Sequence, residues 1–189
     1  LDLLIGTAAG RIEYWRNEGS STNFLPTLVT NQLAGIKIDA NAIPRPVDLN
    51  GDGLIELALG EYDYNGLANV LHYKNDGTIS SPNLVLETGK LIPIETREYT
   101  IPYFYDWNED GKLDLIIGGK LPELILYRNT ALDGQFPDSS TLILESIQLP
   151  GYKDGRGLSV DIVDIDGDGD DDVFIGENNG GINFYRRVQ

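Results

Sequence analysis

The sequence has no cysteine, no methionine, a single histidine, and only 14 lysines and arginines against 30 aspartates and glutamates. Without cysteine there is no disulfide, no thiolate nucleophile and no zinc site of the cysteine type. Scarce positive charge argues against a nucleic-acid surface, which needs clustered Lys and Arg to meet phosphates. The formal net charge of −16 also argues against anionic membrane surfaces. No apolar run approaches the ~18 residues of a membrane span, so no membrane insertion is expected. No signal-peptide pattern and no Asn-x-Ser/Thr acceptor occurs. Hydrophobic content of 41% is that of a globular chain. The acidic surplus is therefore either a solvated surface or a store of cation ligands.

Spacing decides between the two. Three segments align: Asp48-Leu-Asn50-Gly-Asp52-Gly53, Asp106-Trp-Asn108-Glu-Asp110-Gly111 and Asp164-Ile-Asp166-Gly-Asp168-Gly169, with starts 58 residues apart both times. Each precedes a short apolar strand ending in Gly: Leu57 to Gly60, Leu115 to Gly118, Val173 to Gly176. Leu3 to Gly6 is a fourth copy of that strand. A second strand follows and closes on an aromatic–basic pair: Trp15-Arg16, Tyr73-Lys74, Tyr127-Arg128, Tyr185-Arg186. From Asp2, Glu56, Asp114 and Asp172 to the aromatic residue is 13, 17, 13 and 13 residues. The longer second copy holds a four-residue insertion around Glu61-Tyr62-Asp63-Tyr64, which is expected in a surface turn.

The runs between turns are short, β-branched or aromatic, and bounded by Gly, Asn, Asp and Pro. No stretch has helical periodicity. The sequence predicts an all-β chain with four strand types per repeat. Type A runs near 42–48, 100–106 and 158–164. Type B runs near 2–6, 56–60, 114–118 and 172–176. Type C runs near 11–16, 69–74, 123–128 and 181–186, and type D near 25–29, 83–87 and 141–146. Four antiparallel strands per ~55 residues is the signature of propeller blades. The expectation is one repeat domain over 1–189: two full blades (42–99 and 100–157) flanked by two partial ones (1–41 and 158–189). The chain opens inside a repeat and without an initiator Met, so a longer parent protein is expected, with exposed blade edges open to self-assembly.

Each acidic loop carries oxygen donors at positions 1, 3, 5 and 9: Asp48, Asn50, Asp52, Glu56; Asp106, Asn108, Asp110, Asp114; Asp164, Asp166, Asp168, Asp172. Gly at position 6 allows the turn that folds alternate side chains onto one point. A carbonyl at position 7 (Leu54, Lys112, Asp170) and a water complete six or seven hard oxygens, which suits Ca²⁺ better than Mg²⁺. An EF-hand is excluded, because position 12 is Leu59, Ile117 or Ile175 instead of a bidentate Glu, and no helices flank the loop. Turns alone enrich Asp, Asn and Gly, but solvated turns give no reason for the same donors at the same offsets three times. Ten of the thirty acidic residues fall in these positions, where without a cation they repel one another.

The phrases Asp106-Trp-Asn-Glu-Asp-Gly-Lys-Leu-Asp114-Leu-Ile-Ile-Gly118 and Asp164-Ile-Asp-Gly-Asp-Gly-Asp-Asp-Asp172-Val-Phe-Ile-Gly176 resemble the FG-GAP and VCBS repeat family, known best from the head propeller of integrin α chains. The resemblance covers most of the chain. It implies a β-propeller with three Ca²⁺ in the loops joining strands A and B. It also implies an extracellular or cell-surface setting, and a role in adhesion, recognition or assembly with a protein or polysaccharide ligand. Three departures stand out. Glu56 replaces Asp at position 9, implying a looser site; Asp171 adds charge to the third loop; and Asp2 is a position-9 residue with no loop before it.

No enzyme is expected. His72 sits on a C strand where the other copies have Tyr14, Leu126 and Phe184, a packing position, and nothing nearby suggests a nucleophile. The repeat-locked Trp15, Tyr73, Tyr127 and Tyr185 read as blade packing. The off-repeat aromatics Tyr62, Tyr64, Tyr99, Tyr103, Trp107 and Tyr152 are better candidates for a ligand surface. The alternative function is a propeller part of a secreted carbohydrate-active enzyme, for which Arg97, Lys153 and Arg156 are the few charged candidates.

Overall fold

The computed structural model describes residues 2–62, 68–94, 100–119, 124–147, 159–177 and 180–186. Among these the chain is all-β apart from one 3-10 turn at Leu33–Gly35. The strands fall into two units, Leu1–Thr100 and Ile101–Gln189.

The first unit holds two antiparallel sheets. One is β1 (Leu3–Gly6), β2 (Ile12–Asn17) and β3 (Pro26–Thr30), in that order. The other is β4 (Ala40–Val47), β5 (Glu56–Tyr62), β6 (Ala68–Asn75) and β7 (Leu84–Ile94). Alternation sends Ile12, Leu57, Leu59 and Tyr73 inward, where they meet Ile36, Ile38 and Ala42 in one cluster shared by both sheets. Gly6 ends β1 because β4 passes so close: a Cβ there would lie 1.8 Å from the Ala42 carbonyl oxygen.

The second unit repeats the plan. Strands β8 (Thr100–Tyr105), β9 (Asp114–Gly119), β10 (Leu124–Asn129) and β11 (Leu142–Ile147) form a sheet in the order β11-β10-β9-β8. Strands β12 (Ser159–Val163), β13 (Asp172–Gly176) and β14 (Ile182–Tyr185) form a three-stranded sheet. Their cluster is Ile116, Leu124, Leu126, Val160, Ile162, Val173 and Ile175, with Tyr103, Tyr105, Trp107 and Tyr185 packed against it.

The second and third strand types keep one register throughout: Leu3 faces Trp15, Leu57 faces Tyr73, Leu115 faces Tyr127 and Val173 faces Tyr185. Two expectations change. The insertion near Glu61 does not stay in a turn: β5 runs on through Tyr62, which pairs with Ala40, so added residues lengthened the ladder. Asp63 and Tyr64 lie outside the described residues. The expected D strand near 83–87 extends to Ile94, and two register shifts against β6 accommodate its length.

Candidate metal-binding loops

Each acidic loop joins the first two strands of a sheet: β4 to β5, β8 to β9, β12 to β13. Its path is set by the position-1 aspartate, whose two oxygens accept backbone amides from the turn it opens. Asp48 accepts from Gly51 at 2.8 Å, from Asp52 at 3.2 Å and, through Oδ2, from Gly53 at 2.9 Å. Asp106 accepts from Asp110 at 3.0 Å and Gly111 at 2.8 Å. Asp164 accepts from Gly167 at 2.7 Å, Asp168 at 3.2 Å and Gly169 at 3.1 Å. These bonds close only if position 6 is left-handed; Gly53, Gly111 and Gly169 have φ of 84°, 87° and 92°. The position-7 amides of Leu54, Lys112 and Asp170 donate to the position-5 carboxylate at 2.8, 3.0 and 3.0 Å. A carboxylate has about four acceptor sites, so these amides leave capacity on positions 1 and 5 for a cation.

Position 3 separates the loops. Asn50 donates Nδ2 to Asp52 Oδ2 at 3.0 Å, and Asn108 donates to Asp110 Oδ2 at 3.1 Å. Asp166 has no such donor. Asp164, Asp166 and Asp168 each offer an oxygen within 4.8 Å of the others, and the Arg186 guanidinium reaches in to pair with Asp166, with Asp168 Oδ2 at 3.7 Å.

Position 9 lies behind the loop, at the start of the second strand. Glu56, Asp114 and Asp172 are 1%, 0% and 1% exposed. Asp114 uses both oxygens on backbone amides, Oδ2 from Trp107 at 3.1 Å and Oδ1 from Asn129 at 2.8 Å. It ties the loop's entry to the end of β10. The exposed Asp2 makes half of that clasp, accepting the Asn17 amide at 3.0 Å through Oδ1, with the Tyr14 hydroxyl at 2.6 Å on Oδ2. Glu56 accepts the Leu49 amide through Oε2 at 3.0 Å and lies close to the Asn75 amide, while its buried Oε1 makes no hydrogen bond of ordinary geometry among the described residues. Burial pushes the Glu56 and Asp114 carboxyls above the ordinary range, against the pull of nearby amides; the loop aspartates in front push the same way. Asp52 moves the other way, held low by the Asn50 side chain and the Leu54 amide.

A residue absent from the sequence reading completes the frame. Asn17, Asn75 and Asn129 each follow an aromatic–basic pair. Asn75 and Asn129 donate Nδ2 to the carbonyls of Ile55 and Leu113, just ahead of position 9, at 3.2 and 3.1 Å. Their Oδ1 atoms cap the next turn, as does that of Asn17, which accepts from Gly19 and Leu25. Their recurrence at a fixed offset was the available signal.

The remaining candidates resolve differently. His72 is buried on β6, and loss of solvation pushes it down to about 4, so it is neutral at pH 7. Tyr103 donates to Asp161 Oδ1 at 3.1 Å and accepts the Ile162 amide at 3.0 Å. Tyr105 donates to Asp171, which explains that extra charge, and meets Trp107 edge to face at 6.4 Å. Tyr103 and Trp107 are half-buried and pack against the core cluster of the second unit. Tyr64, Tyr99, Tyr152, Arg97, Lys153 and Arg156 lie outside the described residues, as does the side chain of Tyr62.

No curated protein and no solved structure matches the chain. A family profile described as FG-GAP-like repeat matches residues 48–117 and again 106–175, together about two thirds of the chain. Each match opens on a position-1 aspartate, Asp48 or Asp106, and runs past the next loop into its second strand. With the loop geometry and the shared strand register, this places the chain in the FG-GAP-like repeat family.

Proposed function

We propose that the chain is a calcium-binding repeat module, non-catalytic and working outside the cell or at its surface in adhesion, recognition or assembly, with its sheets acting as propeller blades. The observation that carries this is the recurrence of one loop geometry three times, with a buried carboxylate behind each loop. The buried Glu56 carboxylate adds a test of fit: stripped of solvent and set beside Asp48 and Asp52, its charge favours a nearby cation. The donors fit Ca²⁺. Asp48, Asn50, Asp52 and Glu56 would hold it in the first loop, Asp106, Asn108, Asp110 and Asp114 in the second, and Asp164, Asp166, Asp168 and Asp172 in the third. Carbonyls of Leu54, Lys112 and Asp170 would add one oxygen each. The ion's part is charge neutralisation; the protein's own atoms hold the turn, through the amide bonds to positions 1, 5 and 9.

The acidic surface fits a partner of protein or polysaccharide, or another copy pairing along an outer strand, and not nucleic acid. No helix among the described residues is long and apolar enough to cross a membrane.

Calorimetric Ca²⁺ titration with thermal melts in calcium and in chelator tests the reading. Each filled site stabilises the fold by about 2.7 kcal/mol at a hundredfold excess over Kd, so chelation lowers Tm by several degrees and added Ca²⁺ restores it. Affinities in the ~10⁻⁴–10⁻³ M range fit an extracellular module. A melt indifferent to chelator overturns the calcium assignment, and sub-micromolar affinity at all three loops overturns the extracellular one.

A further inference from the structure

The third loop has the most carboxylates and, by charge alone, should take calcium most tightly. Its surroundings oppose that ranking. In the other two loops the position-3 asparagine gives an amide hydrogen to position 5. Asp166 cannot, and what donates to Asp166 and lies beside Asp168 is the Arg186 guanidinium.

The shared register explains why Arg186 can reach. In every repeat the basic residue follows the aromatic that faces the residue after position 9, so it stands beside the loop. Lys74 shows the same placement: its charge and that of Asp52 act on each other. What differs is the anchor. Lys74 pairs with Asp76 at 2.9 Å, Arg16 with Glu18 at 2.7 Å, and Arg128 with Glu145 on β11 at 3.0 Å. Two residues after Arg186 the sequence has the uncharged Val188, where the first two repeats have Glu18 and Asp76. The fourth aromatic–basic pair is followed by a second basic residue, Arg187, where the other three are followed by the framing asparagine. One loop thus gains a negative charge and loses a donor, and the basic residue beside it pairs with the loop instead of with an acid outside it.

We propose that Arg186 is the resident cation of the Asp164 loop and competes with calcium there, so that calcium enters this loop by displacing the guanidinium while the other two loops fill without such an exchange. This rests on the calcium reading above. The competition sets the third loop's affinity lower than its four carboxylates imply. It also ties the loop's occupancy to the end of β14, since a displaced Arg186 side chain must find a new position.

The test uses the whole chain and Ca²⁺ itself, followed loop by loop through the backbone amide resonances of Gly51, Gly111 and Gly167. Arg186→Gln should tighten Ca²⁺ at the Asp164 loop roughly two- to fivefold, the scale of a half-exposed ion pair no longer to be broken, and leave the other loops unchanged. The gain should shrink in high salt. Arg128→Gln, whose partner is Glu145, should alter none of the three. Arg187→Gln removes the same charge one residue further on and should tighten the Asp164 loop less than Arg186→Gln does. Asp166→Asn restores an amide donor to position 5, and in that background Arg186→Gln should lose most of its effect, a coupling read from the double-mutant cycle. Unchanged or weaker affinity at the Asp164 loop in Arg186→Gln overturns the proposal. An equal gain in Arg187→Gln overturns it too, because any nearby positive charge would then suffice. Calcium at the first two loops but not at the third, in wild type and variant alike, also overturns it and leaves the calcium assignment standing elsewhere. No binding at any loop overturns both.

Discussion

The loops opened by Asp106 and Asp164 follow the same backbone path and carry their charge differently. In the first, an amide side chain softens the cluster from within and a buried aspartate is clasped by two backbone amides. In the second, three carboxylates converge and an arginine from the neighbouring strand offsets them. The path therefore does not depend on how the charge is balanced. It depends on the position-1 aspartate and the left-handed glycine that both loops share, while positions 3 and 5 are free to set what the loop attracts.

Removing the clasp gives the largest expected effect. In chelator, Asp114→Ala strands two buried amides, Trp107 and Asn129, each costing about 1–3 kcal/mol unsatisfied. Relief of a buried charge offsets part of that, so a net loss of about 2 kcal/mol is expected in urea denaturation. Asp110→Ala, on the exposed rim, should stay within ~0.5 kcal/mol in chelator. Equal losses for the two would show that clasp and rim are not separate.

A smaller effect sits at position 4. Gly51 and Gly167 have φ of 74° and 77°, but the Asp106 loop places Glu109 there at 60°. Glu109→Gly relieves a strained left-handed residue and should stabilise the protein by about 0.5–1 kcal/mol; Gly167→Ala should cost about as much. A destabilising Glu109→Gly would show that contacts of the Glu109 side chain outweigh its backbone strain.

The smallest effect is a matter of direction. Glu56 and Asp114 have folded-state pKa values raised mainly by burial, and Asp52 a lowered one. For a raised carboxyl the stabilising contribution is fully present below its unfolded-state pKa and is lost as pH rises through the folded value. In chelator, Asp114→Asn should therefore flatten the fall in stability just above the ordinary carboxylate range. Side-chain carboxyl shifts should show Asp114 titrating above that range and Asp52 below it. The reverse order would break the division between buried clasp and exposed rim.

Much of this was legible in the residues. Fixed spacing located the strands and loops, because a side-chain period of two and the turn chemistry of Asp, Asn and Gly are local properties. What each loop residue touches was less legible. Position 9 read as one more metal oxygen, and only the neighbouring strand's end shows Asp114 holding Asn129. Asp171 read as surplus charge until β8 brought the Tyr105 hydroxyl to it. Arg186 reads as one of four equivalent basic residues, and only the structure pairs it with Asp166, which lacks the amide of Asn50 and Asn108. Such pairings are set by neighbours far apart along the chain, where spacing within one repeat is silent. The length of β7 escaped for the same reason, since its register shifts arise from its pairing with β6.

The clasp behind the Asp106 loop has a consequence for how repeats of this kind diverge. Asp2 holds the Asn17 amide as Asp114 holds that of Asn129, with bonds that involve none of the residues at positions 1, 3 and 5. A duplicated copy can therefore exchange its side chains at positions 3 and 5 and keep the frame that positions 1, 6 and 9 hold. Drift in the rim and drift in the frame are under separate constraints, so the charge a loop presents can change copy by copy without rebuilding its architecture.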